Sequence, residues 1–277
     1  MSVKLQYVSS NGNTYDINAE SIKTKTADLH TWKWEPVGTQ LQYGSRFANF
    51  TRKVAAYDID MVIPGPRLAA KALLNDLHQA FEYDMRNMTP CRIIFGDYYI
   101  DGYVTGSDTE PYNYMWARNK ITVTCPYPFW IREVKHSFMP QDAPGSQTFL
   151  DYEYDYNYDY FYGNPGIAIW PLDFPFAAEF KMDIFGPVAT PRVLVNGYPY
   201  QINETLEENE YLTIDSRKNT VYKRLANGQQ VNIFDLREKT QSVFEPMPGG
   251  NLTVTWSGAF GFDITIYQER SEPQWTV

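Results

Sequence analysis

Cysteine and histidine are scarce in this sequence, which contains two cysteines and three histidines among 277 residues. None of the histidines stands at metal-ligand spacing from another histidine or from a cysteine: His30, His78, His136, Cys91 and Cys125. Zinc sites need several such ligands at short spacings, so the sequence predicts no metal site. Both cysteines stand in apolar, strand-like stretches, which favours two reduced, buried thiols. A disulfide between them remains the alternative.

Motifs for nucleotide binding and for nucleophilic catalysis are absent. The sequence has no P-loop, no dinucleotide fingerprint and no nucleophile elbow. Glu207, Glu208 and Glu210 resemble the paired carboxylates of a glycosidase. However, Asn203 and Asn209 flank them, and this turn-like composition favours a solvated loop. We therefore expect no enzymatic activity, no catalytic residue and no cofactor.

Long apolar runs and positive charge are also in short supply. No stretch approaches the ~20 apolar residues of a membrane-spanning helix, and the N-terminus has no apolar segment of signal-peptide length. The chain has 24 Lys and Arg against 33 Asp and Glu, for a formal net charge of -9. Phosphate contacts need clustered Lys and Arg. We therefore expect neither membrane insertion nor specific nucleic-acid binding.

Strand-favouring residues are abundant instead. The sequence is 43% hydrophobic and 16% aromatic, with 22 tyrosines, which is unlike the composition of a disordered protein. Its length suffices for two ordinary domains, each with its own core. We expect a mainly β protein of the α+β type.

A tyrosine-rich segment divides the chain. Between residues 151 and 162, tyrosine occupies every second position, and acidic residues or Asn fill the places between until Phe161. A period of two is typical of an extended chain with one aromatic face. No Lys or Arg occurs between His136 and Pro175. We interpret residues 136–175 as a connector whose aromatic side docks on a protein surface; a solvated linker is the alternative.

Residues 1–135 are predicted to form a β-structure with one helix. Strands are predicted over residues 3–8, 14–17, 21–26, 29–34, 51–63, 91–95, 98–104 and 120–125. The helix is predicted over residues 67–86, because apolar residues recur there at helical spacing. That apolar stripe consists of Ala70, Leu73, Leu74, Leu77, Ala80 and Phe81. Asp84 is placed outside it.

Residues 36–50 predict a long polar loop. Loops of this length inside a compact domain are usually functional or disordered. The loop contains three apolar residues that a solvated loop would leave in water, Leu41, Tyr43 and Phe47. Such residues can anchor a protein contact, and Arg46 adds a charge. We predict that these four residues contact a neighbouring subunit in an oligomer; a mobile loop is the alternative.

Residues 176–277 have the pattern of a β-sandwich, with short strands and turns at close intervals. Strands are predicted over residues 178–185, 192–195, 198–202, 211–215, 220–222, 252–256 and 262–268. Trp256, Phe260 and Phe262 are interpreted as core residues of this sandwich. A sugar-stacking platform built from the same three rings is the alternative.

The order of these motifs resembles the distal tail protein family of siphovirus-type bacteriophages, which have long, non-contractile tails. Each motif is weak alone, but their order and spacing along nearly the whole chain are fairly specific. The matching features are the helix over residues 67–86 with Pro90 behind it, the Gly-Asp-Tyr-Tyr-Ile-Asp-Gly hairpin that begins at Gly96, Pro128-Phe129-Trp130, the Tyr/Asp-rich connector, Asn196-Gly197 and Pro248-Gly249-Gly250-Asn251.

The resemblance implies a ring-forming domain at residues 1–135 and a galectin-like or carbohydrate-module-like β-sandwich at residues 176–277. It implies a structural virion protein, assembled in the host cytoplasm, that forms a homohexameric hub ring at the tail tip. Such a ring joins the tail tube protein to the tail-associated tip protein of the baseplate and, in many relatives, carries the receptor-binding protein for host attachment. The alternative is a lectin-like adhesion module that binds host cell-wall glycans through Trp256, Phe260 and Phe262.

Overall fold

The computed structural model describes residues 4–65, 67–110, 116–140 and 166–274. Within these ranges the chain is mainly β with one α-helix, as the sequence predicts. It divides into two compact units, of which the first comprises Met1–Arg132 with Glu269–Val277 and the second Glu133–Gln268. The units depart from the predicted boundaries, because residues 269–274 pack with the first unit and the described residues of the predicted connector, 136–140 and 166–175, belong to the second. The tyrosine-rich residues 151–162 lie outside the described residues.

The first unit is an antiparallel β-structure with one helix. Its elements are β1 Leu5–Val8, β2 Thr14–Asp16, β3 Lys23–Ala27, β4 Glu35–Gln40, β5 Ser45–Thr51, β6 Ala55–Pro64, α1 Arg67–Arg86, β7 Cys91–Phe95, β8 Tyr98–Thr109, β9 Trp116–Cys125 and the start of β10 Trp130–Phe138. The N-terminal half of β8 pairs with β7, and its C-terminal half pairs with β9. The strands follow the order β2-β1-β7-β8 and then β8-β9-β6-β3. Helix α1 packs against β8 and β9.

Strand β6 shows how the alternating sequence sets the packing. Tyr57, Ile59, Met61 and Ile63 are each at most 2% exposed, so they form the buried face that the alternation predicts. The apolar stripe of α1 joins the same core. Burying one large apolar side chain stabilises a fold by roughly 1.5–3 kcal/mol, so this shared core holds the helix on the sheet.

The two cysteines are reduced and buried, as predicted. The Sγ atom of Cys91 donates a hydrogen bond to the Gly102 carbonyl at 3.0 Å. Glycine is required at that place, because a Cβ on Gly102 would lie 2.8 Å from Cys125 Sγ. Burial raises the pKa of Cys125 to about 12 and raises that of Cys91 as well. Both thiols therefore stay protonated and unreactive near neutral pH.

Asp84 was predicted outside the apolar stripe of the helix, and this prediction is wrong. It follows Ala80 by one helical turn and is only 1% exposed. Its carboxylate accepts hydrogen bonds from Tyr7 Oη at 2.5 Å, Ser9 Oγ at 2.8 Å, and Ser10 N and Oγ at 2.8 and 2.6 Å. Asp84 thus ties the turn after β1 to the end of α1.

Two other predictions in this unit are wrong. Residues 29–34 form a turn and irregular chain instead of a strand. Residues 36–50, predicted as a loop, fall almost entirely in β4 and β5, which pair as a hairpin. Local composition misled for residues 36–50, because glycines and polar residues also occur in exposed hairpins.

The second unit is a β-sandwich. Its elements after β10 are β11 Gly166–Pro171, β12 Phe180–Phe185, β13 Val188–Ala189, β14 Arg192–Val195, β15 Tyr198–Gln201, β16 Thr205–Leu206, β17 Tyr211–Asp215, β18 Thr220–Arg224, β19 Gln230–Asn232, a 3-10 helix Phe234–Leu236, β20 Asn251–Trp256 and β21 Phe262–Arg270. One sheet has the order β19-β18-β17-β12-β21-β10, and the other has the order β11-β20-β14-β15. Inward-facing residues of both sheets form one apolar core.

Candidate assembly surface

The most exposed element of the first unit is the hairpin of β4 and β5. These strands pair with each other and with no other described strand. Every residue from 36 to 51 is exposed. An isolated two-stranded hairpin is only marginally stable in water, so this element depends on contacts beyond its own two strands.

One face of the hairpin is aromatic. Phe50 lies opposite Pro36, and Phe47 lies opposite Gly38, so both phenyl rings stand on the same face. Their ring centroids are 5.7 Å apart. Phe47 is 55% exposed and Phe50 is 51% exposed. Adjacent large apolar side chains left this open are typical of surfaces that meet another molecule.

Two glycines give the hairpin its shape. Gly44 adopts a φ of +83° in the turn, a conformation that glycine reaches without strain. The amide of Leu41 donates a hydrogen bond to the Gly44 carbonyl at 2.9 Å and closes that turn. A Cβ on Gly38 would lie 2.2 Å from the Arg46 carbonyl oxygen, so only glycine allows the strands to approach there. The glycines that suggested a loop are therefore requirements of the hairpin.

The four residues predicted to contact a neighbouring subunit all lie on this hairpin. Leu41 and Tyr43 are in its turn, where they are 53% and 87% exposed. Phe47 is on the aromatic face, whereas Arg46 lies opposite Thr39 and so belongs to the other face. The sequence prediction missed the other exposed apolar residues in and beside the hairpin: Trp32, Trp34, Val37, Phe50 and Val54. Pairing Pro36 and Gly38 with an aromatic strand over residues 45–51 would have revealed Phe50 beside Phe47.

On strands β6 and β9, the face opposite the buried side chains of Tyr57 and Ile59 carries charges that neutralise one another. Lys120 Nζ lies 2.7 Å from Asp58. Arg118 binds both carboxylate oxygens of Asp60, at 2.8 and 2.6 Å, and reaches Glu110 at 2.7 Å. Hydrogen bonds from Lys120 and Arg118 lower the pKa values of Asp58 and Asp60, respectively. Both cations of this cluster have carboxylate partners, so it does not form a basic patch.

The three rings considered for sugar stacking are buried in the second unit. Trp256, Phe260 and Phe262 are 4%, 3% and 1% exposed. The indole N–H of Trp256 donates to the Phe260 carbonyl at 3.1 Å. Sugar stacking needs an open ring face, and none of the three rings offers one. All three rings belong to the core of the sandwich, which is how the sequence analysis interpreted them.

The three glutamates considered as a catalytic pair do not converge. Glu207 and Glu208 are exposed. Glu210 accepts a hydrogen bond from Lys223 Nζ at 2.8 Å, which lowers its pKa. It also accepts one from the Glu207 amide at 2.9 Å. A carboxylate held ionised by a lysine stabilises the turn and is poorly suited to donate a proton.

Within the described part of the chain, no group of three or more His, Cys, Asp or Glu side chains is arranged to hold a metal ion. In the same residues, no helix combines the length and the apolar character needed to cross a bilayer.

No protein family model and no curated protein matches this sequence. The fold, however, is similar to that of the SPP1 Dit protein, described as a paradigm of the hub adsorption apparatus in Gram-positive infecting phages. That match has a TM-score of 0.63 and 8% identity, and it covers 96% of this chain and 99% of SPP1 Dit.

A chain of the phage P2 baseplate is similar as well. In the activated conformation with Ca, the TM-score is 0.65 at 11% identity, with 99% of this chain and 100% of the baseplate chain covered. The baseplate with Sr gives the same values. The predicted resemblance to phage distal tail proteins is thus confirmed for the fold: over nearly its whole length, this chain is folded like phage hub and baseplate proteins.

Proposed function

We propose that this chain is a structural virion protein of a siphovirus-type bacteriophage, a distal tail protein at the tail tip. The observation that carries the proposal is the fold shared with SPP1 Dit and with a baseplate chain over 96% and 99% of this chain. Fold alone does not fix function. The exposed hairpin supplies independent support, because a hub protein needs surfaces for other proteins.

The proposal includes a closed ring of six copies. In a ring, each copy presents one surface to its neighbour and receives a different one from the other side. The hairpin of β4 and β5 is our candidate for the presented surface, since Phe47 and Phe50 remain exposed in the single chain. Burial of both rings against the next copy would remove the aromatic face of the hairpin from water.

The ring would be a passive connector. We propose that it joins the tail tube protein to the tail-associated tip protein and offers a place for a receptor-binding protein. Viral DNA must pass through such a ring without being held. The pairing of Lys120 with Asp58 and of Arg118 with Asp60 balances these two cations on β9, which suits that role. No enzymatic step and no cofactor is part of the proposal.

The test is native mass spectrometry of the full chain with electron microscopy of negatively stained particles. We expect a particle of six copies with a central opening. A double variant, Phe47→Ser with Phe50→Ser, should require at least about tenfold more protein for half-assembly, equivalent to about 1.4 kcal/mol.

The matched control is Ile169→Ser on β11, because Ile169 is 71% exposed but lies in the second unit. It should assemble like the unmodified chain. A monomer at all accessible concentrations would contradict the ring. A ring unchanged by the double variant would contradict the role of the hairpin and leave the ring itself standing.

A further inference from the structure

A segment near the end of the described chain contacts the base of the hairpin. We call this base, formed by Trp34 and Arg52 on either side of β4 and β5, the root. We call residues 269–274 the return segment, because they pack with the first unit after the chain has completed the second. The indole N–H of Trp34, just before β4, donates to Ser271 Oγ at 3.3 Å. The Nη2 atom of Arg52, just after β5, donates to the Ser271 carbonyl at 3.2 Å. Ser271 therefore bonds to both ends of the hairpin.

The return segment is also held on either side of Ser271. Tyr127 Oη donates to Glu269 Oε2 at 2.5 Å. Tyr98 Oη donates to Gln274 Oε1 at 3.4 Å. Because both tyrosines belong to the body of the first unit, the segment connects that body to the hairpin root.

Arg52 is the centre of the root. Its guanidinium carbon lies 5.8 Å from the ring centroid of Trp34 and 4.9 Å from that of Phe129. These two rings are 5.9 Å apart, and the ring of Tyr127 lies 5.2 Å from that of Phe129. A planar guanidinium stacks on such rings and donates sideways at the same time, which a lysine cannot do.

We propose that the return segment positions the hairpin for assembly, with Arg52 as the positioning residue that couples the two. The hairpin has no sheet partner among the described strands, so its direction depends on its root. The root is completed by Ser271, which lies 237 residues after Trp34 and 219 after Arg52. That this hairpin is an assembly surface rests on the proposed function; that the return segment orients it does not.

One consequence concerns the order of events during synthesis. The hairpin is made early, but residues 269–274 are made only after the whole second unit. Domains fold as units while the chain is being synthesised. A growing chain would thus carry an unoriented hairpin until the second unit is finished, and incomplete chains would be kept out of the ring. Residues 1–135, the ring-forming domain that the resemblance implies, lack this segment.

The test uses the full chain with a nitroxide label on Tyr43→Cys, at a protein concentration below assembly. Labelling is selective because Cys91 and Cys125 are buried, with raised thiol pKa values. The label mobility is measured by electron paramagnetic resonance in Arg52→Ala, Arg52→Lys and Ser271→Ala. We expect faster motion in Arg52→Ala, partial retention in Arg52→Lys, and a smaller increase in Ser271→Ala, which loses only the Trp34 bond.

The control is Arg86→Ala, since Arg86 is an exposed helix residue whose side chain forms an ion pair with Glu82. It should leave the label unchanged. Unchanged mobility in both Arg52→Ala and Ser271→Ala, with intact circular dichroism, would overturn the proposal. An equal increase in Arg86→Ala would do the same.

A second measurement separates this proposal from the proposed function. In unlabelled chains, Arg52→Ala should raise the concentration for half-assembly at least about tenfold, while the far-UV circular dichroism stays the same. Greater label mobility together with unchanged assembly would keep the positioning role and remove the hairpin from the ring contact.

Discussion

Two hairpins of this chain have similar turns, but one is buried and the other is exposed. In the second unit, β14 and β15 meet at Asn196-Gly197, both with positive φ. Their residues Val193, Val195 and Tyr200 are at most 1% exposed. In the first unit, β4 and β5 meet at a turn that also contains a positive-φ glycine, yet Phe47 and Phe50 stay open to solvent.

The two hairpins differ in whether a further strand pairs with them and whether a core packs on them. β14 also pairs with β20, and its inner face packs into the sandwich core. The hairpin of β4 and β5 has no such neighbour among the described strands. Residue type therefore indicates which side chains can be buried, and the presence of a third strand or an opposing sheet determines which are.

The largest expected effect is on stability. Tyr200→Ala should destabilise the second unit by about 3–5 kcal/mol, because it removes a buried ring and leaves a cavity. That ring packs edge-on against Phe180 at 5.1 Å, and its hydroxyl donates to the Glu245 carbonyl at 2.9 Å. Phe47→Ala should change the stability of the monomer by less than about 0.5 kcal/mol. Urea unfolding of both variants checks this; similar losses would mean that the two hairpins are equally buried.

The turn after β1 gives a second contrast, of intermediate size. Asp84→Asn should cost about 2–4 kcal/mol, because the amide cannot accept all the hydrogen bonds that Tyr7, Ser9 and Ser10 donate to the buried carboxylate. Asp76→Asn is the control on the same helix, since Asp76 is exposed. It should stay within about 0.5 kcal/mol. Equal unfolding curves for the two variants would refute the role of Asp84.

A smaller effect is expected from acid. The folded-state pKa of Asp60 is lowered by Arg118, so its contribution to stability is present above the unfolded pKa of about 4 and is lost as pH falls through the lower folded value. Asp60→Asn should therefore narrow the difference in melting temperature between pH 7 and pH 3. An acid sensitivity identical to the unmodified chain would show that this pair does not support the sheet.

The smallest expected effect is none at all. The assembled protein should not bind double-stranded DNA at low salt, where the range of electrostatic attraction is longest. A gel-shift titration should stay flat for the unmodified chain. In contrast, Asp58→Asn combined with Asp60→Asn frees Lys120, leaves Arg118 with Glu110 as its acidic partner, and should increase any retention. Tight, salt-sensitive binding by the unmodified chain would mean that the assembled protein exposes a basic surface to DNA, despite the paired charges on β6 and β9.

Local sequence was sufficient to predict a helix or a strand wherever the structure depends on the spacing of residues within that one element. The apolar spacing from Ala70 to Phe81 fixed the helix, and the alternation through Tyr57, Ile59 and Met61 fixed the buried face of β6. These patterns follow directly from the geometry of a helix and a strand. The order of such elements also carried the resemblance to phage tail proteins, which the fold confirms at 8–11% identity.

Tertiary structure decided whatever depended on a partner distant in sequence. Asp84 is buried because a serine turn 74–75 residues earlier closes over it, and helical spacing alone did not show that a carboxylate could be satisfied there. The hairpin of β4 and β5 is exposed because no described strand lies beside it, and its root is completed by Ser271, which follows the second unit in the sequence. Sequence by itself determined which residues can form strands, helix and core, because those preferences are local. Only the folded chain determined which surfaces remain open and what positions them, because that depends on contacts between residues hundreds of positions apart.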